Sequence, residues 1–240
     1  MTVDRSEVSP DSDDGHDWLF ESAEAIDLYA ERAEDPVLHE QERKAIERYF
    51  TQSGASVLDI GCGSGRVAAR LRDRGFDVTG LDRSASLVAE GRAAFPELDL
   101  LVGDITDAPL ESGQFDYAFF SHYGLDYVLP AADRRAALAE IRRLLKPGGV
   151  AVVSSHNSWY PKLRLGMLRN LKNWRRLFSR RKFELVPLGE VEIYFASPRH
   201  QRRQFRQCGF STLDVVGKRE NVLRLFEREL HFVLRADRLD

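Results

Sequence analysis

The sequence predicts an α/β fold in which helices cover both faces of a doubly wound, mostly parallel sheet. Three observations support this prediction. The apolar run Val57–Ile60 leads through a glycine-rich turn into a helical segment, and Phe76–Asp82 is a second strand that ends in an acid. Val150–Val153 is wholly apolar, as is typical of a strand buried on both faces. Segments of helical composition separate these strands, so we expect the strands to be parallel.

Length and composition indicate one globular domain with a sizeable core. The chain has 240 residues, of which 43% are hydrophobic and 30% are charged. Cys62 and Cys208 match no disulfide or metal pattern, which favours a reduced, cytoplasmic protein without a metal site. No apolar run approaches the roughly 18 residues needed to span a membrane, and the acidic N-terminus is no signal peptide.

Charge is distributed unevenly along the chain, although the net charge is only −3. Residues 1–40 carry 13 acids and two arginines, whereas residues 162–182 carry nine Lys or Arg and no acid. Residues 1–16 lack apolar periodicity and are rich in Asp and Ser, which predicts a disordered acidic tail. We assign residues 17–240 to a single domain.

The glycine-rich turn after the first strand indicates a nucleotide-like ligand. Gly61, Gly63 and Gly65 allow a sharp turn and a close approach of the ligand to the backbone. The helix that follows presents unpaired N–H groups at its N-terminus. Asp59, just before the turn, would repel a pyrophosphate but attract an ammonium group. A ligand with an adenosine end and a cationic end therefore fits, and NAD fits badly.

A second acid supports the adenosine end of this ligand. Asp82 ends the second strand, 19 residues beyond Gly63. An acid at that distance can bind both hydroxyls of a ribose. The aliphatic stem or the guanidinium of Arg83 would then cover the adenine face. Ser84 is expected to cap the helix that follows.

Two sequence motifs resemble those of a known family. The series Asp59-Ile60-Gly61-Cys62-Gly63-Ser64-Gly65 resembles motif I of the class I S-adenosylmethionine (SAM)-dependent methyltransferases, and Leu145-Lys146-Pro147-Gly148-Gly149 resembles a structural hallmark of that family. The resemblance covers about residues 18–240 and is specific from 57 to 153. It implies SAM as the cofactor, and a seven-stranded sheet ordered 3-2-1-4-5-7-6 with the last strand antiparallel.

The resemblance also implies roles for individual residues near the cofactor. Asp104 would accept a hydrogen bond from the adenine amino group, and Ile105 would pack on the ring. The loop that starts at Ser121 would face the methionine end. Tyr29, on the first of two N-terminal helices that cap the cleft, either touches the cofactor or packs its helix. The full predicted cofactor set is Tyr29, Asp59, Gly61, Cys62, Gly63, Gly65, Asp82, Arg83, Asp104, Ile105 and Ser121.

Polar residues after the fourth and fifth strands form the predicted acceptor site, because ligands of open α/β sheets bind beyond the carboxyl ends of strands. Tyr123 and Asn157 are predicted to contact the acceptor. A hydroxyl or amine acceptor needs a proton acceptor, which suits His156 or His122, whereas a carboxylate needs none. A solvent-facing loop histidine is the alternative for His122.

The residues of the fourth loop bear on the class of acceptor. The chain has Ser121-His122-Tyr123-Gly124 where many enzymes that methylate amino groups of nucleic acids and proteins have Asn-Pro-Pro-Tyr or Asp-Pro-Pro-Tyr. The resemblance is therefore nearest to the small-molecule branch, with methyl transfer to an O or N of a small-molecule or lipid-linked glycan acceptor. Two alternatives stay open: an RNA methyltransferase, against which the acidic N-terminus argues, and a non-catalytic SAM-binding partner protein.

Residues 161–183 predict a basic amphipathic helix inserted after the fifth strand, since apolar residues recur there at spacings of 3 or 4. The helix is a lid on the domain, a ligand of an anionic membrane surface, or a ligand of nucleic-acid phosphates. Nine cations without an acid favour the membrane, so we expect a cytoplasmic protein that is peripheral at the inner membrane face. The remaining predicted elements are a strand at 191–195, a helix at 198–208, a strand at 210–216, a short helix at 221–226 and a strand at 229–235.

Overall fold

A computed structural model of the chain describes residues 37–162, 180–186 and 189–237, together with positions 22, 26, 27, 165, 169 and 172. The predicted acidic tail, most of the predicted helix that carries Tyr29, including Tyr29 itself, and most of the predicted basic helix lie outside the described residues. Within the described part of the chain, no helix is long and apolar enough to cross a membrane.

The strands form a seven-stranded sheet and a separate hairpin. In chain order they are β1 Ser56–Ile60, β2 Asp77–Asp82, β3 Asp99–Val102, β4 Phe115–Phe120, β5 Leu145–His156, β6 Arg181–Val186, β7 Gly189–Tyr194, β8 Phe210–Val216 and β9 Glu229–Ala236. The main sheet has the order β3-β2-β1-β4-β5-β9-β8. Strands β1 to β5 are parallel, and β9 runs antiparallel to both β5 and β8. Because β8 and β9 are the sixth and seventh strands of this sheet, the predicted fold and strand order are confirmed.

Helices connect the strands, and local sequence sets where several of them begin. They are α1 Glu40–Tyr49, α2 Arg66–Arg72, α3 Ala85–Ala94, α4 Gly124–Tyr127, α5 Ala131–Leu144, α6 Pro198–Gln207 and a 3-10 helix at Val222–Phe226. The Ser84 side chain accepts a hydrogen bond from the Leu87 N–H at 3.2 Å, which confirms Ser84 as the cap of α3. The Ser197 hydroxyl caps α6 in the same way.

Apolar side chains cover both faces of the sheet, because successive residues of a strand point to opposite sides. Leu58 and Ile60 of β1 belong to one buried cluster, which includes Leu138 of α5. Val57 of the same strand belongs to the other cluster, which includes Ile46 of α1. Burial of such a side chain contributes about 1.5–3 kcal/mol to folding. The two clusters therefore hold the helices against the sheet and fix the edge where the strands end.

The hairpin of β6 and β7 differs from the predicted structure. Residues 181–183 were predicted to end the basic helix, but Arg181 and Lys182 pair in register with Tyr194 and Ile193 as strand residues. That end of the predicted helix is wrong, since the alternating segment forms a backbone ladder instead of a helical turn. The predicted strand at 191–195 exists as β7, although its partner is β6 and it does not join the main sheet.

Strand β5 begins earlier than predicted. The helix before it ends at Leu144, and Leu145 already pairs with Phe115 at the start of β4. The register then shifts before the pairing of Val150 with Tyr117, which accommodates the two glycines of the turn. The segment Lys146-Pro147-Gly148-Gly149 is thus an irregular part of the strand itself.

Candidate active site

The glycine-rich turn lies at the carboxyl edge of the sheet, directly after β1. Gly61 and Gly63 have φ angles of 64° and 52°, which few residues other than glycine adopt. A Cβ on Gly61 would lie 3.1 Å from the Phe120 ring at the end of β4. A Cβ on Gly63 would meet Leu87 Cδ1 at an ordinary contact distance of 3.9 Å, so it is the φ angle that requires glycine there. The turn therefore brings bare backbone to the edge, as expected for a bound nucleotide-like group.

Asp82 joins this turn to the next helix. Its Oδ2 accepts a hydrogen bond from the Gly63 N–H at 2.7 Å, and its Oδ1 accepts one from the Ser84 N–H at 2.9 Å. The carboxylate is half-buried at the end of β2. Asp82 thus lies beside the glycine turn, at the end of the second strand, as predicted from the sequence. Its contact with a ribose stays a prediction.

Asp59 is buried beneath the turn. The residue is 2% exposed, and its Oδ2 has no hydrogen-bond partner among the described residues. Burial raises the pKa of Asp59 to about 8; the Arg66 charge opposes this shift, and the acids Glu42 and Asp82 add to it. A buried carboxylate oxygen without a partner suits a cationic ligand group. The residues present therefore fit SAM, whose ammonium group would complete the site.

Glu42 on α1 was not predicted as a site residue, yet it connects three elements at this edge. Its carboxylate accepts two hydrogen bonds from the Arg66 guanidinium, at 2.8 and 2.9 Å, and one from the Ser121 hydroxyl after β4. Burial would raise the pKa of Glu42, but the hydrogen bonds and charge of Arg66 outweigh it and hold the pKa at about 2. Glu42 therefore orients Ser121. In sequence it resembles any exposed helix acid.

The loop after β3 brings Asp104 close to Arg83. The Arg83 guanidinium lies 4.0 Å from Asp104 Oδ2, and both side chains are about half exposed. Asp104 Oδ1 accepts hydrogen bonds from the N–H and the hydroxyl of Thr106, which fix the turn. Ile105 belongs to the buried core cluster, and Cys62 is also buried. The structure gathers these residues at the ends of β1, β2 and β3, and their contact with adenine stays a prediction.

The loop after β4 has an unusual backbone. His122 and Tyr123 have φ angles of 53° and 63°, in the left-handed region that residues with a Cβ seldom adopt. The Tyr123 N–H donates to Ser154 Oγ at 2.7 Å, which fastens the loop to β5. His122 is partly exposed and stacks on His39 at a centroid distance of 6.0 Å. Backbone strain of this kind concentrates at functional sites.

His156 and Asn157 lie deeper than the sequence suggested. The His156 side chain is 1% exposed and stacks under the Tyr123 ring, with centroids 3.8 Å apart. The Asn157 side chain donates to the Leu225 and Glu227 carbonyls, both at 2.8 Å, and so holds the segment before β9. These contacts give both residues a structural task. Their predicted contact with the acceptor is not shown.

Sequence comparisons agree with the geometry of the glycine turn and the sheet. A family described as "Methyltransferase domain" matches residues 57–149. A demethylmenaquinone methyltransferase of Beutenbergia cavernae is 37% identical over 121 residues, 50% of this chain and 49% of the relative. A malonyl-[acyl-carrier protein] O-methyltransferase of Serratia marcescens is 32% identical over 150 residues, 62% of this chain and 54% of the relative. The chain spans about half the length of the curated relatives it matches.

A solved structure shares the fold over most of the chain. A SAM-dependent methyltransferase from Methanosarcina mazei superimposes with a TM-score of 0.68 at 20% identity, covering 83% of this chain and 98% of its own. The sheet order, the glycine turn and the domain match together indicate a Rossmann-like fold with a methyltransferase domain at residues 57–149. These matches support the predicted resemblance to the class I SAM-dependent methyltransferases and imply SAM as the cofactor.

Proposed function

We propose that the protein transfers a methyl group from SAM to an O or N of a small-molecule acceptor at the carboxyl edge of the main sheet. The buried Asp59 carboxylate below the glycine turn is the observation that carries this proposal, because its unpartnered oxygen calls for a cationic ligand group. The named activities of the relatives, which act on demethylmenaquinone and malonyl-[acyl-carrier protein], support an acceptor other than RNA.

The cofactor would be held by residues of four strand ends. Asp59 would bind the ammonium group, Asp82 the ribose hydroxyls, and Asp104 with Arg83 the adenine. When bound, SAM supplies a methyl group that is already activated by the positive sulfur. The task of the chain is therefore to exclude water and to orient the acceptor, an effect of proximity and alignment. Ser121, held by Glu42, would define the methionine end.

A hydroxyl or amine acceptor also has to lose a proton. We propose His122 as the proton acceptor in that case, because it is partly exposed on the loop after β4. His156, the other histidine predicted for this role, is buried beneath Tyr123 and would be reached only after that ring moves. His122→Ala should then lower turnover by about 10²-fold and leave SAM affinity unchanged.

Methyl transfer can be tested with labelled SAM against a panel of acceptors. The panel contains demethylmenaquinone, malonyl-[acyl-carrier protein], a lipid-linked glycan fraction and RNA. We expect label in a small-molecule or carrier-bound acceptor and none in RNA. Label in RNA alone, or SAM binding without transfer to anything in the panel or in cell extract, would contradict the proposal.

Cofactor binding can be tested separately by calorimetry. Asp82→Ala should weaken SAM binding by about 2–3 kcal/mol, because a carboxylate that bonds ribose hydroxyls is lost together with its hold on Gly63. Asp77→Ala is the matched control, since Asp77 is the exposed first residue of the same strand. Equal SAM affinity in the Asp82 variant and the wild type would remove Asp82 from the site.

A further inference from the structure

A buried polar network lies directly below the loop after β4. Asp126 of α4, Arg134 of α5, and Ser155 and His156 of β5 are each 2% exposed or less. Among the described residues, Arg134 has the largest side chain that is fully buried. A buried ion pair of this kind is often no more stabilising than apolar side chains of the same volume. Its place at the carboxyl edge of the sheet therefore points to a task in the site.

Asp126 fixes the orientation of the His156 ring. Its Oδ2 accepts from the His156 backbone N–H at 2.6 Å and lies 3.0 Å from His156 Nδ1. The Arg134 guanidinium donates to Asp126 Oδ1 at 3.1 Å, which holds the carboxyl group in place from its other side. Asp126 Oδ2 already accepts from the His156 backbone N–H and the Ser155 hydroxyl, and as an acceptor towards the ring as well it places the proton on Nδ1 of His156. The Nδ1–H tautomer and the plane of the ring follow from these two contacts.

The rest of the scaffold anchors Arg134. Its Nε donates to Gln204 at 3.0 Å and its Nη2 donates to Gln201 at 2.9 Å, both on α6. The guanidinium also lies 4.2 Å from the centre of the Tyr194 ring in β7. Helix α6 and the hairpin therefore fix the position of the Arg134 guanidinium, and the guanidinium in turn fixes the Asp126 side chain.

The His156 ring in turn supports Tyr123. The two rings are nearly parallel, with an angle of 12° and centroids 3.8 Å apart. The Tyr123 backbone is fixed by its hydrogen bond to Ser154 and has a φ angle of 63°. Tyr123 is thus held through its backbone and through one face of its ring. It lies in the loop beyond β4, where an open α/β sheet binds its ligand.

We propose that Asp126 is a positioning residue for methyl transfer, which orients His156 so that its ring holds Tyr123 against the acceptor. This inference rests on the proposed function. Asp126 and His156 do not touch the acceptor in this arrangement. Tyr123 is the residue that contacts the acceptor. The ion pair between Asp126 and Arg134 sets the position of Tyr123 from below, through the His156 ring.

The kinetic test compares Asp126→Asn with the wild type, using the acceptor found in the labelled-SAM panel. An asparagine NH₂ can donate to Nδ1 and so favours the Nε2–H tautomer, while the ion pair with Arg134 that fixes this side chain is lost. We expect kcat to fall by about 10²-fold, because an acceptor displaced by about 1 Å loses that much, while SAM affinity stays within about twofold. The matched control is Asp116→Asn, whose carboxylate binds Ser56 and Lys146 at the opposite, amino edge of the sheet.

A spectroscopic test needs no acceptor. The ¹⁵N shifts of the His156 ring, assigned by comparison with His156→Phe, should show protonated Nδ1 in the wild type and loss of that tautomer in Asp126→Asn. A second variant, Tyr123→Leu, should lose turnover to a similar extent while Nδ1 of His156 stays protonated. This variant decides the matter if Asp126→Asn does not fold.

The outcomes separate the inference from the proposed function. Wild-type turnover in Asp126→Asn or in Tyr123→Leu overturns the inference and leaves the methyltransferase assignment intact. A wild type that methylates no acceptor contradicts the proposed function, and a His156 ring with protonated Nε2 and bare Nδ1 overturns the inference in that case as well.

Discussion

Two neighbouring buried acids at the cofactor edge have opposite pKa shifts. Burial raises the pKa of Asp59 to about 8, because the charge of Arg66 only partly offsets the loss of water. The pKa of Glu42 falls to about 2 despite burial, because the Arg66 guanidinium donates two hydrogen bonds to it. The same cation therefore keeps Glu42 ionised and leaves Asp59 largely protonated at neutral pH in the cofactor-free protein.

The shift at Asp59 predicts how stability depends on pH. Between its unfolded value of 3.8 and its folded value of about 8, the folded chain holds a proton that the unfolded chain has lost, so this group makes stability fall as pH rises. Asp59→Asn removes the effect. In thermal unfolding, the Tm of the variant minus that of the wild type should increase from pH 5 to pH 8. The increase should be about 2–4 °C for each kcal/mol of unfolding free energy that the wild type loses over this range.

The variant Glu42→Gln should show the opposite dependence of stability on pH. Glu42 contributes stability above its unfolded pKa of 4.5, and the contribution disappears as pH falls towards about 2. The Tm loss of Glu42→Gln should therefore be full at pH 7 and shrink at pH 3. A Tm difference for Asp59→Asn that stays constant from pH 5 to pH 8 would show that the Asp59 pKa is not raised.

Binding of SAM should release a proton from Asp59. An ammonium group beside the carboxylate favours its charged form, so a group protonated before binding becomes ionised afterwards. Calorimetry at pH 7 in two buffers of different ionisation enthalpy measures the release. We expect about one proton per SAM in the wild type and close to none in Asp59→Asn. Equal release in both proteins would place the ammonium group away from Asp59.

Residue positions explain how much of this site the sequence could predict. Asp59, Gly63 and Asp82 come directly after or at the end of apolar strands, so their meeting at one edge follows from the parallel sheet. Glu42 and Asp126 carry no such signal, because helix acids are usually exposed. Their partners are distant in sequence: Glu42 binds Arg66, 24 residues away, and Asp126 binds His156, 30 residues away.

Among the larger elements, the main sheet was predictable and the hairpin was not. Strands buried on both faces give continuous apolar runs, whereas the order of the strands came from the family resemblance and not from the pattern. Arg181–Val186 starts with two cations that extend the basic run before it, so the predicted helix was extended into residues that form a strand. Lys182 and Glu192 are less than 10% exposed in the hairpin, which charge alone does not indicate.

Helix α3 packs so closely on the glycine turn that one methyl group should displace it. A Cβ on Gly91 would lie 2.7 Å from Leu100 and 3.0 Å from the backbone of Ser64. Alanine would gain about 1 kcal/mol of helix propensity, but overpacking against backbone costs about 1–3 kcal/mol. We expect Gly91→Ala to lower the Tm by a few degrees and to weaken SAM binding. Glu90→Ala, at the exposed neighbouring position, should change neither, and a higher Tm for Gly91→Ala would contradict the close packing.

For the molecule as a whole, part of the basic run at 162–182 is paired within the chain. Lys172 forms an ion pair with Glu190 of β7 and lies 5.2 Å from the Phe183 ring. Arg181 pairs with Glu192, and Lys182 is 9% exposed. Three of the nine cations therefore lie in the hairpin or against it, which is the behaviour expected of a lid that packs on the domain.

We predict that the remaining cations still bring residues 161–183 to an anionic membrane surface. Each basic side chain near such a surface contributes about 1 kcal/mol, so four of them give useful affinity. Exposed apolar side chains lie close to this segment in the chain or in space: Leu165 is 53% exposed, and Trp159 and Phe226, which stack on each other, are 38% and 48% exposed. Aromatic side chains of this kind anchor proteins at the interface.

Vesicle sedimentation tests the prediction with a matched pair of variants. The wild type should bind anionic vesicles, should not bind neutral ones, and should dissociate as salt is raised. Arg175→Glu with Arg176→Glu should abolish binding, whereas Arg202→Glu with Arg206→Glu, two exposed changes on α6, should leave it in place. Binding that is lost equally in both double variants would show a general charge effect. No binding to either vesicle, together with tight, salt-dependent RNA binding, would favour an RNA acceptor, because the same cations would then contact phosphates of a nucleic acid.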